Sequence, residues 1–237
     1  MEKIEDLGIN GYRIIQSKDG FCFGSDAVLL AKFARLTRGS RVLDLCTGTG
    51  IIPVLSYALF APASIDAVEI IPRVADMASR TMRLNGLEDV IRVHNADLAD
   101  APTIFGKRVF DAVTCNPPYM PGGGGLVNPK DELAISRHEI KCTLDGVVKS
   151  AADCLKFGGK LFMVHRADRL CDVISTFRAH KIEPKRLAVV YPKSDRGANL
   201  ILVEGLLGGR PQLTLDKPVF MYDDEGNYIQ NITEGIV

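Results

Sequence analysis

Asn116, Pro117, Pro118 and Tyr119 end a β-branched and apolar run that starts at Val109. Each proline fixes its own φ near −65° and removes a backbone donor. It also drives the residue before it into extended backbone. A strand over 109–115 must therefore stop abruptly and present Asn116 and Tyr119 in a stiff turn. Chemistry that needs such a turn is transfer to an amino nitrogen conjugated with a ring or carbonyl. The lone pair of that nitrogen is delocalised, so it is a poor nucleophile. The Asn116 side-chain oxygen and the Pro117 carbonyl could accept its two hydrogens and turn the lone pair toward an electrophile. Tyr119 offers a flat face, worth roughly 1–3 kcal/mol for a stacked base. Asn and Pro are also common turn residues, so the tetrapeptide by itself is compatible with a plain strand end.

About seventy residues upstream, Arg41–Leu45 reads as a strand and Cys46-Thr47-Gly48-Thr49-Gly50 as a loop. A helix opens near Ile51, with Pro53 in its first turn. Gly48 and Gly50 let backbone approach a ligand closely at a helix N-terminus. Glu69, nineteen residues after Gly50, ends the next strand, where a carboxylate can accept both hydroxyls of a ribose. A nicotinamide oxidoreductase would carry a third glycine at position 53, and Pro53 stands there instead. Asp44, two residues before the loop, would repel a pyrophosphate but suits the ammonium of an amino acid. A ligand with a ribose and an ammonium but no phosphate is S-adenosylmethionine. Asp97 could accept a hydrogen bond from the adenine amino group of that cofactor, and it reads equally as part of an Asn-Ala-Asp turn.

These residues need strand ends to hold them. Ser64–Ile70, Val90–His94, Val109–Cys115, Lys160–His165, Leu187–Tyr191 and Leu200–Leu207 read as strands. A helix after Pro72 places Val74, Met77, Ala78, Thr81 and Met82 on one face and stops at Asn85-Gly86. Another runs from about Thr143 and is closed by Gly158-Gly159. Alternating strands and helices predict an α/β fold: an open, mostly parallel sheet with helices on both faces and ligands at the strands' carboxyl ends. Before it, Tyr12–Ile15 and Phe21–Phe23 suggest a small hairpin, and Ser25 or Asp26 a helix cap. Residues 1–38 are expected to pack on a main domain of 39–237. Four glycines, Gly122–Gly125, follow the tetrapeptide and are well placed to close over a substrate.

Asp44-Leu-Cys-Thr-Gly-Thr-Gly50, Glu69 and Asn116-Pro-Pro-Tyr119 together resemble class I S-adenosylmethionine-dependent methyltransferases that act on amino nitrogens. Cys46 departs from the pattern, since many of these enzymes have a glycine there. Phe23-Gly-Ser-Asp26, Ala134-Ile-Ser-Arg137-His138-Glu139 and the stretch from Tyr191-Pro-Lys193 to Glu204 extend the likeness to bacterial enzymes that methylate the adenine beside the anticodon of a valine tRNA. The resemblance implies a Rossmann-like, seven-stranded sheet, S-adenosylmethionine as cofactor and RNA, most of all tRNA, as partner. It implies catalytic roles for Asn116, Pro117 and Tyr119. It places Asp44, Cys46, Gly48, Gly50, Glu69, Asp97, Asn116, Phe23 and Asp26 at the cofactor, and Tyr119, Arg137, His138, Lys193 and Arg196 at the substrate. The same motifs serve glutamine methylation on translation factors and amino methylation of ribosomal RNA bases. A non-catalytic RNA-binding module would keep the fold without turning over the cofactor.

The 237 residues carry 29 basic and 29 acidic side chains, so overall charge selects no partner. Locally, 156–196 holds ten Lys/Arg against four Asp/Glu, a weak pointer to a phosphate-bearing partner. The polar, acidic N-terminus and the absence of a roughly 20-residue apolar run point to neither export nor a membrane span. Six cysteines without a Cys-x-x-Cys pair read as reduced thiols of a cytoplasmic protein, and four scattered histidines predict no metal site. Cytosine C5 methylation uses a cysteine nucleophile, a role open in principle to Cys115, but its strand-interior position reads as core.

Overall fold

A computed structural model describes residues 1–17, 23–118, 142–223, 225 and 227. The chain opens with β1 (Glu2–Asp6), β2 (Arg13–Ser17) and α1 (Ser25–Phe33). The main sheet contains β3 (Arg41–Leu45), β4 (Ser64–Glu69), β5 (Ile91–Asn95), β6 (Phe110–Cys115), β7 (Leu155–Arg166), β8 (Ile182–Tyr191) and β9 (Leu200–Leu207). Between them run α2 (Ile51–Phe60), α3 (Pro72–Leu84), α4 (Ala101–Phe105), α5 (Leu144–Cys154) and α6 (Leu170–Ala179). The seven strands lie in the order β5-β4-β3-β6-β7-β9-β8, with only β9 antiparallel to its neighbours. This is the doubly wound α/β sheet expected from the strand–helix alternation. Two short strands, β10 (Thr214–Leu215) and β11 (Val219–Phe220), extend it along the outer edge of β8.

Neighbouring residues on the central strands feed opposite faces, as period-2 geometry requires. Val42, Ala112, Phe162 and Val164 pack with α1 and α2, whereas Leu43, Val113, Leu161 and Met163 pack with α5 and α6. Strands buried on both faces have no polar side, which is why they read as continuous apolar runs.

The N-terminal hairpin is present, with β2 paired to β1, Glu2–Asp6; Phe21 and Cys22, expected in one of its strands, lie outside the described residues. Two expectations are corrected. The N-cap of α1 is Gly24, and Asp26 sits inside the first turn, its Oδ1 accepting from Ala27 N at 2.9 Å. Gly158-Gly159 does not close α5, which ends at Cys154 and leads straight into β7. There, Phe110 pairs with Leu155 and Ala112 with Lys160, so the glycines form a bulge of extra residues beside β6. Gly158 takes φ +77°, and a Cβ at Gly159 would stand 2.9 Å from Lys156 O.

The hairpin is tied to α3. Arg13 N donates to Asn85 Oδ1 at 2.8 Å, Ile15 N to Thr81 Oγ1 at 3.1 Å, and Arg80 forks onto the Glu2 carboxylate. Among the described residues, no helix is long and apolar enough to cross a membrane.

Candidate functional site

Parallel pairing of β3 with β6 sets Leu45 opposite Cys115, so Cys46 and Asn116 leave the sheet side by side. This is where the strand order reverses direction, the crevice in which open α/β sheets bind ligands. The loop after β3 needs three left-handed residues, Cys46 (φ +59°), Gly48 (φ +58°) and Gly50 (φ +91°). Cys46 thus occupies a conformation that favours glycine, and a non-glycine residue there carries a local strain of roughly 1 kcal/mol. Gly50 caps α2, and a Cβ on it would stand 2.4 Å from Met82 Cε.

Glu69, at the tip of β4, fixes this loop. Its Oε2 accepts from Gly48 N and its Oε1 from Ile71 N, both at 2.9 Å. Asp44 is fully buried, and Thr114 of the neighbouring strand donates to its Oδ1 at 2.5 Å. Burial pushes the Asp44 carboxyl up to about 7, against the pull of the Thr114 hydroxyl. Asp44 Oδ2 and the hydroxyls of Thr47 and Thr49 are buried without an aligned hydrogen-bond partner among the described residues, although the Thr47 hydroxyl lies near enough to Asp44 to favour its anion. Such orphans each cost about 1–3 kcal/mol. Grouped around a glycine loop, they fit a ligand that carries an ammonium and hydroxyls.

On the other side of the crevice, Asn116 is half-buried, Pro117 buried and Pro118 exposed. Asn116 Nδ2 donates to Asp26 Oδ2 at 3.0 Å. A carboxylate only accepts hydrogen bonds, so this contact fixes which end of the carboxamide is which. Asn116 Oδ1 is then the acceptor end.

Asp97 caps the 3-10 turn Leu98–Asp100, its Oδ1 accepting from Ala99 N at 3.0 Å. Phe23 packs against the core around α1 and α2, and its N–H donates to Gln16 Oε1 at 3.1 Å. Lys193 and Arg196 lie in the loop after β8, where Arg196 N donates to Lys193 O at 3.2 Å. Because β8 is parallel to β6, that loop is on the same sheet edge as Asn116, three strand spacings away, about 14 Å. Tyr119, Gly122–Gly125, Arg137 and His138 lie outside the described residues.

The positive stretch 156–196 is largely compensated. Lys156 pairs with Asp111, Lys160 with Glu204, Arg166 with Asp168, Arg169 with Asp172 and Arg178 with Glu183. Its excess of basic residues is therefore partly absorbed by carboxylates outside the stretch rather than gathered into one face.

Three partnerships at the site were not readable from motifs. Thr114 reaches Asp44 only through strand register, and Asp26 reaches Asn116 across ninety residues of chain. Cys142, just before α5, brings its Sγ to 3.7 Å from Cys46 Sγ. Hydrogen bonding with Cys115, together with burial, holds the Cys46 thiol well above the usual range, and burial raises Cys115 too. Buried neutral thiols are poor nucleophiles, which speaks against covalent catalysis by Cys115. Among the described residues, no group of three or more His, Cys, Asp or Glu could hold a metal ion.

A family model described as the methyltransferase small domain matches residues 11–181. A tRNA1(Val) (adenine(37)-N6)-methyltransferase of Porphyromonas gingivalis is 27% identical over 187 residues, 76% of this chain and 72% of that protein. A ribosomal protein uL3 glutamine methyltransferase of Bradyrhizobium diazoefficiens is 34% identical over 126 residues, 53% of this chain and 37% of that protein. Among solved structures, a predicted O-methyltransferase from Agrobacterium tumefaciens superposes with a TM-score of 0.70 at 22% identity, covering 89% of this chain and 94% of that one.

Proposed function

From the premise that this chain belongs to the methyltransferase small domain family, we propose that it transfers a methyl group from S-adenosylmethionine to an exocyclic amino nitrogen, adenine N6 beside the anticodon of a tRNA. The observation that carries this reading is the carboxamide of Asn116, pinned through its Nδ2 so that its acceptor end is fixed. Two acceptor oxygens at a strand end match the two hydrogens of an amino group; a hydroxyl has one hydrogen to donate, and transfer to it calls for a base that a carboxamide cannot supply. The choice of adenine in tRNA is supported by the relative from Porphyromonas gingivalis.

In this reading Asp44 faces the cofactor's ammonium, Glu69 its ribose, Asp97 its adenine, and the loop 46–50 its backbone-contacting edge, with Phe23 covering it, while the Asp26 carboxylate is turned to Asn116 Nδ2 instead. The cofactor, when bound, supplies a methyl carbon made electrophilic by a sulfonium. Asn116 Oδ1 and the Pro117 carbonyl accept the two hydrogens of the amine and turn its lone pair out of conjugation. The proton leaves to solvent after transfer. Rate then comes chiefly from holding two reactants in line, where a misplacement of about 1 Å costs roughly a hundredfold. An adenine in a folded loop must be splayed out, at a few kcal/mol. Tyr119 is assigned the stacking face that offsets part of that cost. Arg137, His138, Lys193 and Arg196 are assigned to RNA phosphate.

The test is incubation with S-adenosylmethionine and unmodified tRNA, with mass spectrometry to find the methylated nucleoside. Asn116→Ala is expected to keep cofactor binding and lower turnover by roughly a hundredfold or more. Normal turnover in that variant would reject the orienting role. The 34% identity to a glutamine methyltransferase favours one second reading, since a glutamine side chain presents the same planar amino group. Methyl transfer to ribosomal protein and none to tRNA would select it.

A further inference from the structure

We infer that Asp26 is a positioning residue for Asn116, and that Gly24 exists to leave room for it. The inference rests on the orienting role of Asn116 proposed above. A primary carboxamide has two ends of nearly equal shape, and an unanchored one turns over with little preference. Only one orientation puts an acceptor toward an amine. In the other, two N–H donors would meet two N–H donors. Asp26 removes the ambiguity: its Oδ2 takes Asn116 Nδ2–H at 3.0 Å, while its Oδ1 is held by Ala27 N at 2.9 Å. Both carboxylate oxygens are thus anchored, and the anchor is the first turn of a helix. The negative charge beside Nδ2 also polarises the amide and strengthens Oδ1 as an acceptor, since charge-assisted bonds are about twice as strong as neutral ones.

Gly24 gives an independent sign of the same arrangement. Its φ of −97° is open to any residue, so backbone geometry does not call for glycine. A Cβ there would, however, stand 2.5 Å from Asp26 Oδ1. The obstructed atom is the far end of a side chain. Gly24→Ala therefore displaces the carboxylate and leaves the helix in place.

The experiment compares Asp26→Ala, Asp26→Asn, Gly24→Ala and Asn116→Ala in the full chain. Turnover on unmodified tRNA, S-adenosylhomocysteine affinity by calorimetry and thermal melting are measured for each. The Asn116 carboxamide pair in 15N–1H spectra, assigned by its loss in Asn116→Ala, is followed in the other three. Asp26→Ala and Gly24→Ala are expected to lower kcat about 10–100-fold. KM for tRNA and affinity for S-adenosylhomocysteine should hold steady, and the Asn116 amide protons should lose their hydrogen-bonded shift. Asp26→Asn keeps an acceptor oxygen and is expected to restore kcat to within about fivefold, with the shift retained. If Asn116→Ala is inactive while Asp26→Ala turns over normally, the positioning role is overturned and the proposed function stands. If Asp26→Ala instead weakens S-adenosylhomocysteine binding with kcat at saturation unchanged, Asp26 is a cofactor contact and the inference is wrong. If Asn116→Ala itself turns over normally, it is the proposed role of Asn116 that fails.

Discussion

Asp44 carries a charge in a place that does not reward it. Its carboxyl titrates near 7 because burial penalises the anion, whereas in an unfolded chain it titrates near 3.8. A raised folded value means that the folded state holds its proton longer. The stability linked to Asp44 is therefore fully present below about 4 and lost as pH rises through about 7. Asp44→Asn keeps an acceptor for Thr114 and removes the buried charge. Without ligand at pH 8, it is expected to melt roughly 3–6 °C higher. The same variant should bind S-adenosylmethionine at least about tenfold more weakly if Asp44 has the proposed role of facing the ammonium. Calorimetry of the unaltered protein should show cofactor affinity rising with pH through about 7. Equal affinity on both sides of that pH would remove Asp44 from the cofactor site. The placement of Asp44, Glu69 and Asn116 at strand ends and of Gly48 and Gly50 in the loop between them was legible in the sequence, because each type dictates a conformation or charge by itself. The Thr114 and Asp26 contacts were not, since nothing local couples residues 70 or 90 apart.

Elements were legible in proportion to their length and regularity. Strand β9 emerges from an apolar run interrupted only by Glu204 and Gly205, and helix α3 from a clean helical stripe, and the apolar residues of both are mostly buried. Helix α4 and strands β10 and β11, of two to five residues, carry too few positions for any period to show. Gly158-Gly159 misled because a glycine pair after a helical stripe signals a C-cap, while register against β6 turned it into a bulge. Gly205 in β9 shows what such hidden constraints cost. A Cβ there would stand 2.4 Å from Ile182 Cγ2 and 2.8 Å from Phe177 Cδ2, so α6 packs directly on the strand backbone. Gly205→Ala is expected to lose about 1–3 kcal/mol in denaturant titration by overpacking. Cofactor affinity should be unaffected, because the clash faces away from the strand ends that carry the site.

At the scale of the molecule, β8 and α1 are joined by one largely buried cation. Arg186 lies with its guanidinium carbon 4.0 Å from the Phe33 ring centre and donates to the Phe33 carbonyl at the end of α1. It faces Glu204 of β9 at 3.4 Å, and Asp216, just past β10, at 3.1 Å in an ion contact rather than an aligned hydrogen bond. Removing one member of a buried pair strands the others, so Arg186→Ala is expected to cost about 3–5 kcal/mol, read by chemical denaturation. Because α1 also carries Asp26, turnover should fall further than cofactor affinity does. A change in stability alone would mean that α1 keeps its place without the clamp. Helix α1 is made long before Asp216, yet one of the carboxylates that secure it belongs to Asp216. During synthesis the ribosome must deliver nearly two hundred further residues before that grip closes. A nascent chain that had already built the glycine loop and the Asn116 turn would still hold Asn116 against a loosely seated helix until Asp216 had emerged.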